Sequence, residues 1–236
     1  MTDKQEKALY IAKQFLAAGM TLSGVAGSIA NIDAESAFKS TNVEDSYERG
    51  LGMNDAQYTA AVDNGTYTRF TVDQVGYGLA QWTARDRKDG MLKFHRARGK
   101  SIGDFETQVA WWITEMRGYQ TVWNTCRSSD DPYFCGYNVC KYYEMPADTE
   151  AAAKYRGRLA QEWFAFLSKY DLTEKKNIQT IAKDPISATF PPDPSIKQIQ
   201  YVMYDNGYWD IDKINGYKTK EFFEKLRIFV DDMESC

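Results

Sequence analysis

IANIDAESAF, residues 29–38, sets a carboxylate, Glu35, in a helical pattern among Ile29, Ile32, Ala34, Ala37 and Phe38. A glutamate in such company is either a solvated residue on the far face or an acid placed for chemistry. An acid that donates a proton near neutral pH needs surroundings that disfavour its anion, and apolar burial supplies them. Helix phase alone leaves both readings open.

Working outward, the stretch closes a helix that begins after Thr21 or Ser23 as cap, with Val25, Ala26, Ile29, Ala30 and Ile32 on its buried face. Gly24, Gly27 and Ala30 are small. Glycine inside a helix costs up to about 1 kcal/mol, so two of them imply a packing reason, the close approach of a neighbouring helix. Residues 3–19 read as a preceding helix, with Ala8, Ile11, Ala12, Phe15 and Leu16 as its stripe and Gly19 as its stop. Helical patterning returns over 104–122 through Phe105, Val109, Trp112, Ile113 and Met116. It returns again over 149–169 through Tyr155, Leu159, Trp163, Phe166 and Leu167. Between these helices, residues 39–80 scatter Glu44, Asp45, Glu48, Asp55 and Asp63 among glycines. There DNG at 63–65 signals a turn, and the alternation of TYTRFTV at 66–72 predicts a short strand. This segment reads as a loop lobe with a small hairpin, able to wall a cleft.

The chain divides by composition. Residues 1–170 form the first domain. Residues 171–194 form a connector in which DPISATFPPDPS carries four of the six prolines. Residues 195–236 hold two short amphipathic patterns around a glycine-containing turn, with Tyr208, Trp209 and Tyr217 clustered at the turns. About 40 residues is marginal for an independent core, so this tail is either a small module or a segment docked on the first domain.

Composition narrows the classes. A net charge of -4 argues against general nucleic-acid binding. No apolar run reaches the roughly 18 residues of a membrane span. The opening MTDKQEKALYIAKQF is charged and amphipathic, unlike a signal peptide, so action outside a cell would need another route. The 6 Trp, 16 Tyr and 12 Phe suit a core, or a groove that stacks on sugar rings. Cys126, Cys135, Cys140 and Cys236 are too sparse for a disulfide scaffold and lack CxxC spacing. Reduced thiols and one local bridge both remain open. His95, the only histidine, lies in the basic stretch LKFHRARGK and is expected at the solvated surface. Neither a metal site nor a cysteine–histidine nucleophile is expected, and no cofactor is implied.

VGYGLAQWTARDR, residues 75–87, is the second informative stretch. Gly76 and Gly78 let backbone approach a ligand, Gln81 offers a donor and an acceptor, and Trp82 is floor or core. Taken together, AES and GYGLAQW resemble the lysozyme-like domain of bacteriophage tails and endolysins. They are also similar to the Glu-Ser and Gly-Leu-x-Gln signatures of goose-type lysozymes and soluble lytic transglycosylases. The matching residues are Glu35, Ser36, Gly78, Leu79 and Gln81, and YYEMPAD at 142–148 resembles the segment ahead of that family's last helix. The resemblance runs from about residue 5 to 168.

What the resemblance implies is a mainly α fold: a lysozyme-like α+β catalytic domain with a small β/loop lobe, followed by the small helical module. It implies cleavage of the β-1,4 glycosidic bond of peptidoglycan with Glu35 as general acid. A hydrolase commonly adds a second carboxylate. Phage lysozymes of the T4 type place theirs nine positions after the acid, which here is Glu44, with Asp45 as near rival. Tyr77, Gly78, Gln81 and Trp82 would line or support the sugar cleft. A lytic transglycosylase would instead use one carboxyl and a tyrosine, for which GYNVC at 136–140 offers Tyr137. A non-catalytic wall-binding or tail structural protein is the rival from another class. The tail is similar to three-helix peptidoglycan-binding domains, which would make Tyr208, Trp209 and Tyr217 wall contacts. A monomeric endolysin would wait in the host cytoplasm for release through a holin pore. A tail lysin would travel in the virion beside phage tail proteins.

Overall fold

The computed structural model describes residues 1–172, which are mainly helical. None of their helices is long and apolar enough to cross a membrane. The connector beyond residue 172 and the module at 195–236, with Tyr208, Trp209 and Tyr217, lie outside the described residues.

Helix α1 (Asp3–Ala17) starts at a capping box in which Thr2 and Gln5 satisfy each other's backbone donors, and it buries Ala8, Ile11, Ala12 and Phe15. Helix α2 (Leu22–Ser36) takes Thr21 as its cap and is buried along nearly its whole length. It packs against α8 (Pro132–Val139) and α9 (Thr149–Leu167). The predicted close approach is present. A Cβ at Gly27 would stand 2.6 Å from the Gly136 nitrogen, and one at Gly136 would stand 2.6 Å from the Arg156 carbonyl oxygen. Real Cβ contacts do not come this close, so α2, α8 and α9 depend on glycine where they cross.

The second half departs from the sequence pattern in several places. The helix expected over 104–122 is two helices, α6 (Phe105–Met116) and α7 (Gln120–Ser128). Tyr155, expected to face inward on α9, is exposed, and the buried stripe runs instead through Ala153, Arg156, Ala160, Trp163 and Leu167. Helix α5 (Arg85–Arg96) escaped the apolar pattern altogether. Its buried side chains are Lys88, Met91 and His95. His95 is therefore not at the solvated surface. Its Nδ1 lies 2.8 Å from the Met91 carbonyl, and burial chiefly lowers its basicity. Cys126, Cys135 and Cys140 are buried free thiols.

The lobe over 39–80 is also more helical than expected. It contains α3 (Asp45–Leu51) and α4 (Asp55–Asp63), and its β structure is reduced to isolated bridges from Tyr77 to Val43 and to Trp82. The strand predicted at 66–72 is absent. Tyr67 and Phe70 turn instead onto Tyr58, with ring centroids 5.2 and 6.1 Å away, so aromatic packing takes the residues that alternation had assigned to a sheet. A buried ion pair ties this lobe to α5. Lys88 Nζ donates to Asp73 at 2.6 Å and to the Val75 carbonyl at 2.8 Å, and the Tyr58 hydroxyl donates to Asp73 at 2.6 Å. A pair this deep is sustained by such added hydrogen bonds, because desolvation otherwise cancels the attraction.

Candidate active site

Glu35 sits in the last turn of α2. The helix ends on Ala37 and Phe38, both left-handed, at φ 47° and 65°. Two consecutive non-glycine residues in that region are uncommon, and such backbone gathers at functional sites. Phe38 is held there by burial and an edge contact with Trp163, centroids 5.5 Å apart.

The Glu35 side chain is 17% exposed and meets Arg156 of α9, whose Nη2 donates to Oε1 at 2.5 Å. Arg156 Nη1 donates to Asn31 Oδ1 at 3.1 Å, one turn back on α2. Asn31 is fixed in turn, since its Nδ2 donates to the carbonyls of Gly27 and Gly136 at 2.8 and 3.0 Å. The glycine crossing thus orients an asparagine, the asparagine orients an arginine, and the arginine orients the carboxylate. A guanidinium can only donate. Arg156 therefore holds Glu35 through Oε1.

A second carboxyl shares this neighbourhood. Glu144 ends a π-helical turn, Cys140–Glu144, and its side chain is 2% exposed. Single π turns are frequent at functional sites. Arg87 Nη1 lies 4.0 Å from its Oε2, and Oε1 is buried with no hydrogen-bond partner among the described residues. Burial chiefly, then the charge of Glu35, pushes the Glu144 carboxyl up to about 8, against the opposing pull of Arg87 and Arg156. Cys140, at the start of the same turn, is pushed up to about 11, mainly by burial.

Beneath them lies Glu115 of α6. Arg87 Nε and Nη2 reach its two oxygens at 2.8 and 2.9 Å, and Trp82 Nε1 and the Tyr143 hydroxyl donate to Oε2 at 2.7 and 2.5 Å. These donors fix Glu115, and with it Arg87, in place.

The residues singled out in the sequence fall into distinct places. Ser36 Oγ lies 3.0 Å from the Leu79 carbonyl, joining the AES and GYGLAQW stretches directly. Glu44 caps α3, its Oε2 accepting from the Gly76 N–H at 3.1 Å and its Oε1 from the Ser46 hydroxyl at 2.9 Å. Asp45, the next residue, is exposed. Gln81, at φ 43°, donates from Nε2 to the carbonyls of Asn42 and Gly78 at 3.1 and 3.2 Å. Its Oε1 and Glu44 Oε2 converge over Gly76, where a Cβ would stand 2.7 and 3.3 Å from them. Glu44, Gly76 and Gln81 are therefore one cluster. Gly78 is left-handed at φ 76°, and its own cradle is filled by the Gln108 amide.

Tyr77 and Trp82 are fully buried. The Tyr77 hydroxyl shares a 2.7 Å hydrogen bond with Thr59, and its ring packs on Tyr58 and Phe70. Both rings face the core. Tyr137 is on α8, and its hydroxyl donates to Glu150 at 2.7 Å and accepts from Lys141 at 3.1 Å. Two surface pockets, one lined by Val62, Asp63 and Leu92 and the other by Tyr119, Val122 and Tyr142, include none of these groups.

Asn31, Arg87, Glu115, Glu144 and Arg156 were not singled out in the sequence. Arg156 had a signal, a charge on the apolar stripe of α9. Glu144 lay inside YYEMPAD, but only as part of a motif.

The described residues form a mainly helical, lysozyme-like fold. Residues 6–167 match the phage tail lysozyme family, and the chain belongs to it. No curated protein matches the sequence. The family makes the chain a bacteriophage lysozyme-like cell-wall hydrolase, with peptidoglycan as substrate.

Proposed function

We propose that the chain is a muramidase that hydrolyses the β-1,4 bond between N-acetylmuramic acid and N-acetylglucosamine, with Glu35 as general acid. The observation that carries this reading is the placement of Glu35 in the last turn of α2, 17% exposed, with Arg156 Nη2 orienting its Oε1 at 2.5 Å. In this reading the Glu35 carboxyl delivers a proton to the glycosidic oxygen as the bond breaks and positive charge grows on the sugar ring. Glu44 is the second carboxylate of this reading. Its two oxygens are held by Gly76 and Ser46, whereas Asp45 lies exposed beside it. A carboxylate fixed by two donors is oriented for water or for the developing cation.

Hydrolysis is favoured over transglycosylation because the Tyr137 hydroxyl is engaged by Glu150 and Lys141. Mass spectrometry of soluble products from purified peptidoglycan tests this. Reducing N-acetylmuramic acid ends are expected, whereas 1,6-anhydro ends mean transglycosylation. Glu35→Gln keeps shape and polarity but has no proton to give, so its rate should fall by a factor of roughly 100 to 10,000. Folded Glu35→Gln with wild-type activity rejects the assignment.

Family membership supports delivery in the virion, beside phage tail proteins, over release through a holin pore. Immunoblots of purified virions distinguish the two. Residues 195–236 are proposed as a wall-binding module using Tyr208, Trp209 and Tyr217. A chain ending near residue 172 would then still cut soluble glycan but sediment less with intact walls.

A further inference from the structure

Cys126 and Cys135 take no part in the site described above, yet the fold brings them together. Both are fully buried free thiols, one near the end of α7 and the other in the middle of α8. Only the short link at 129–131 separates the two helices. Cys135 Sγ reaches the carbonyl oxygen of Thr125 at 3.9 Å, and Thr125 is the residue before Cys126. Peptide geometry then places that sulfur no more than about 7 Å from the Cys126 Cα. The two thiols are also hydrogen-bond partners of each other.

Helix α2 backs both cysteines. A Cβ at Gly24 would stand 2.7 Å from the Cys126 Cα, and one at Gly27 would stand 2.7 Å from the Cys135 Cβ. Residues three apart on a helix are surface neighbours, so the two cysteines rest side by side on one face of α2. Cys140 is set apart. Five residues beyond Cys135, it points to another side of the helix, and its hydrogen-bond partner is Arg156.

We propose that Cys126 and Cys135 are the site of a disulfide that forms once the chain leaves a reducing cytoplasm and staples α7 to α8 in the working enzyme. Peptidoglycan lies outside the cytoplasm, where thiols are no longer kept reduced. The oxidant is a low-molecular-weight disulfide, admitted when the half-buried to exposed link at 129–131 swings aside. The Cys135 thiolate attacks one sulfur of that reagent, and one thiolate leaves. Cys126 then gives up its proton and attacks the Cys135 sulfur, releasing the second thiolate. Two cysteine sulfurs are oxidised, the reagent is reduced to two thiols, and the two cysteine protons end on those thiols. The hydrogen bond from Cys126 chiefly, against burial and with help from Ser129, lowers the Cys135 thiol, which suits it to attack first. The staple bears on the site through Gly136, the residue after Cys135, whose carbonyl holds Asn31 at 3.0 Å. It does not depend on the role given to Glu35.

The test uses the full-length folded protein, first reduced and then incubated with oxidised glutathione. Remaining thiols are alkylated, and the digest is read by mass spectrometry with fragmentation between Cys135 and Cys140. A Cys126–Cys135 linked peptide is expected, with lytic activity retained and a melting temperature roughly 5–10 °C above that of the reduced protein. Unreacted thiols, glutathione held on either cysteine without the link, or a link to Cys140 or Cys236 instead overturns the proposal. So does a linked form that melts lower or no longer lyses walls.

Cys135→Ser should lose both the link and the gain in melting temperature. A gain that persists in folded Cys135→Ser comes from elsewhere and overturns the staple. The wild-type peptide map decides the pairing whether or not that variant folds.

Discussion

The Ser36 hydroxyl lies 3.0 Å from the carbonyl of Leu79, although 43 residues separate them. Ser36 follows Glu35, and Leu79 sits two residues before Gln81. This one contact fastens the helix that carries the proposed acid to the loop that carries the Gly76–Gln81 cluster. Ser36 Oγ is also 3.1 Å from the Ile32 carbonyl, so its single proton serves two acceptors. Ser36→Ala leaves the buried Leu79 carbonyl without that donor, a loss of about 1–3 kcal/mol. Thermal denaturation should register the loss, and activity should fall with it because loop and helix are no longer tied. An unchanged melting temperature would mean that the contact carries no stability.

Arg156 is the joint between Asn31 and Glu35. Its planar fork serves both at once, at 3.1 and 2.5 Å. Arg156→Lys keeps the charge but replaces the fork with a single ammonium, which cannot hold both partners in the same geometry. The expected result is a fall in kcat of about tenfold to a hundredfold with KM little changed, since orientation of the acid matters more to the transition state than to binding. A wild-type kcat would show that the fork is dispensable.

How far these residues could be seen in the sequence depended on whether their setting was local. Helices α1 and α2 were legible because their apolar residues recur at helical spacing, and the α2 cap, Thr21, is a local signal. The helix α5 was not, because the side chains it buries include Lys88 and His95, and no apolar count registers a buried lysine whose partner, Asp73, is 15 residues away. TYTRFTV misled for a related reason: alternation shows which residues share a face, not what that face meets. Glu35 and Ser36 were legible as part of a pattern. Glu144 was not, because its burial depends on a π turn and on arginines from α5 and α9, which only the tertiary fold brings together.

The two candidate second carboxylates separate by substitution. Glu44→Gln retains one acceptor oxygen for the Gly76 N–H or the Ser46 hydroxyl, and Glu44 makes no side-chain cap hydrogen bond to α3, so the start of that helix should survive. If Glu44 assists water or the oxocarbenium ion, turnover should drop at least about tenfold with a normal melting temperature. Asp45→Asn, on an exposed side chain, should leave turnover unchanged. Equal rates for wild type and Glu44→Gln would remove Glu44 from the mechanism.

Burial of Glu144 also predicts how stability varies with pH. Its carboxyl titrates near 8 in the fold, against an ordinary value of 4.5. Between those values the folded chain holds a proton that the unfolded chain has released. Stability from this group therefore falls as pH rises through the interval, and the penalty is complete above about 8. Below 4.5 both states are protonated and the group contributes no pH dependence. Glu144→Gln imitates the neutral carboxyl at every pH. The variant and wild type should then melt close together in acid, and the variant should gain relative stability steadily toward pH 8. Melting curves of both proteins at fixed ionic strength test this, since salt screens the exposed pairs far more than a sealed carboxyl. A constant difference across the range would mean that Glu144 does not change its charge inside the folded protein.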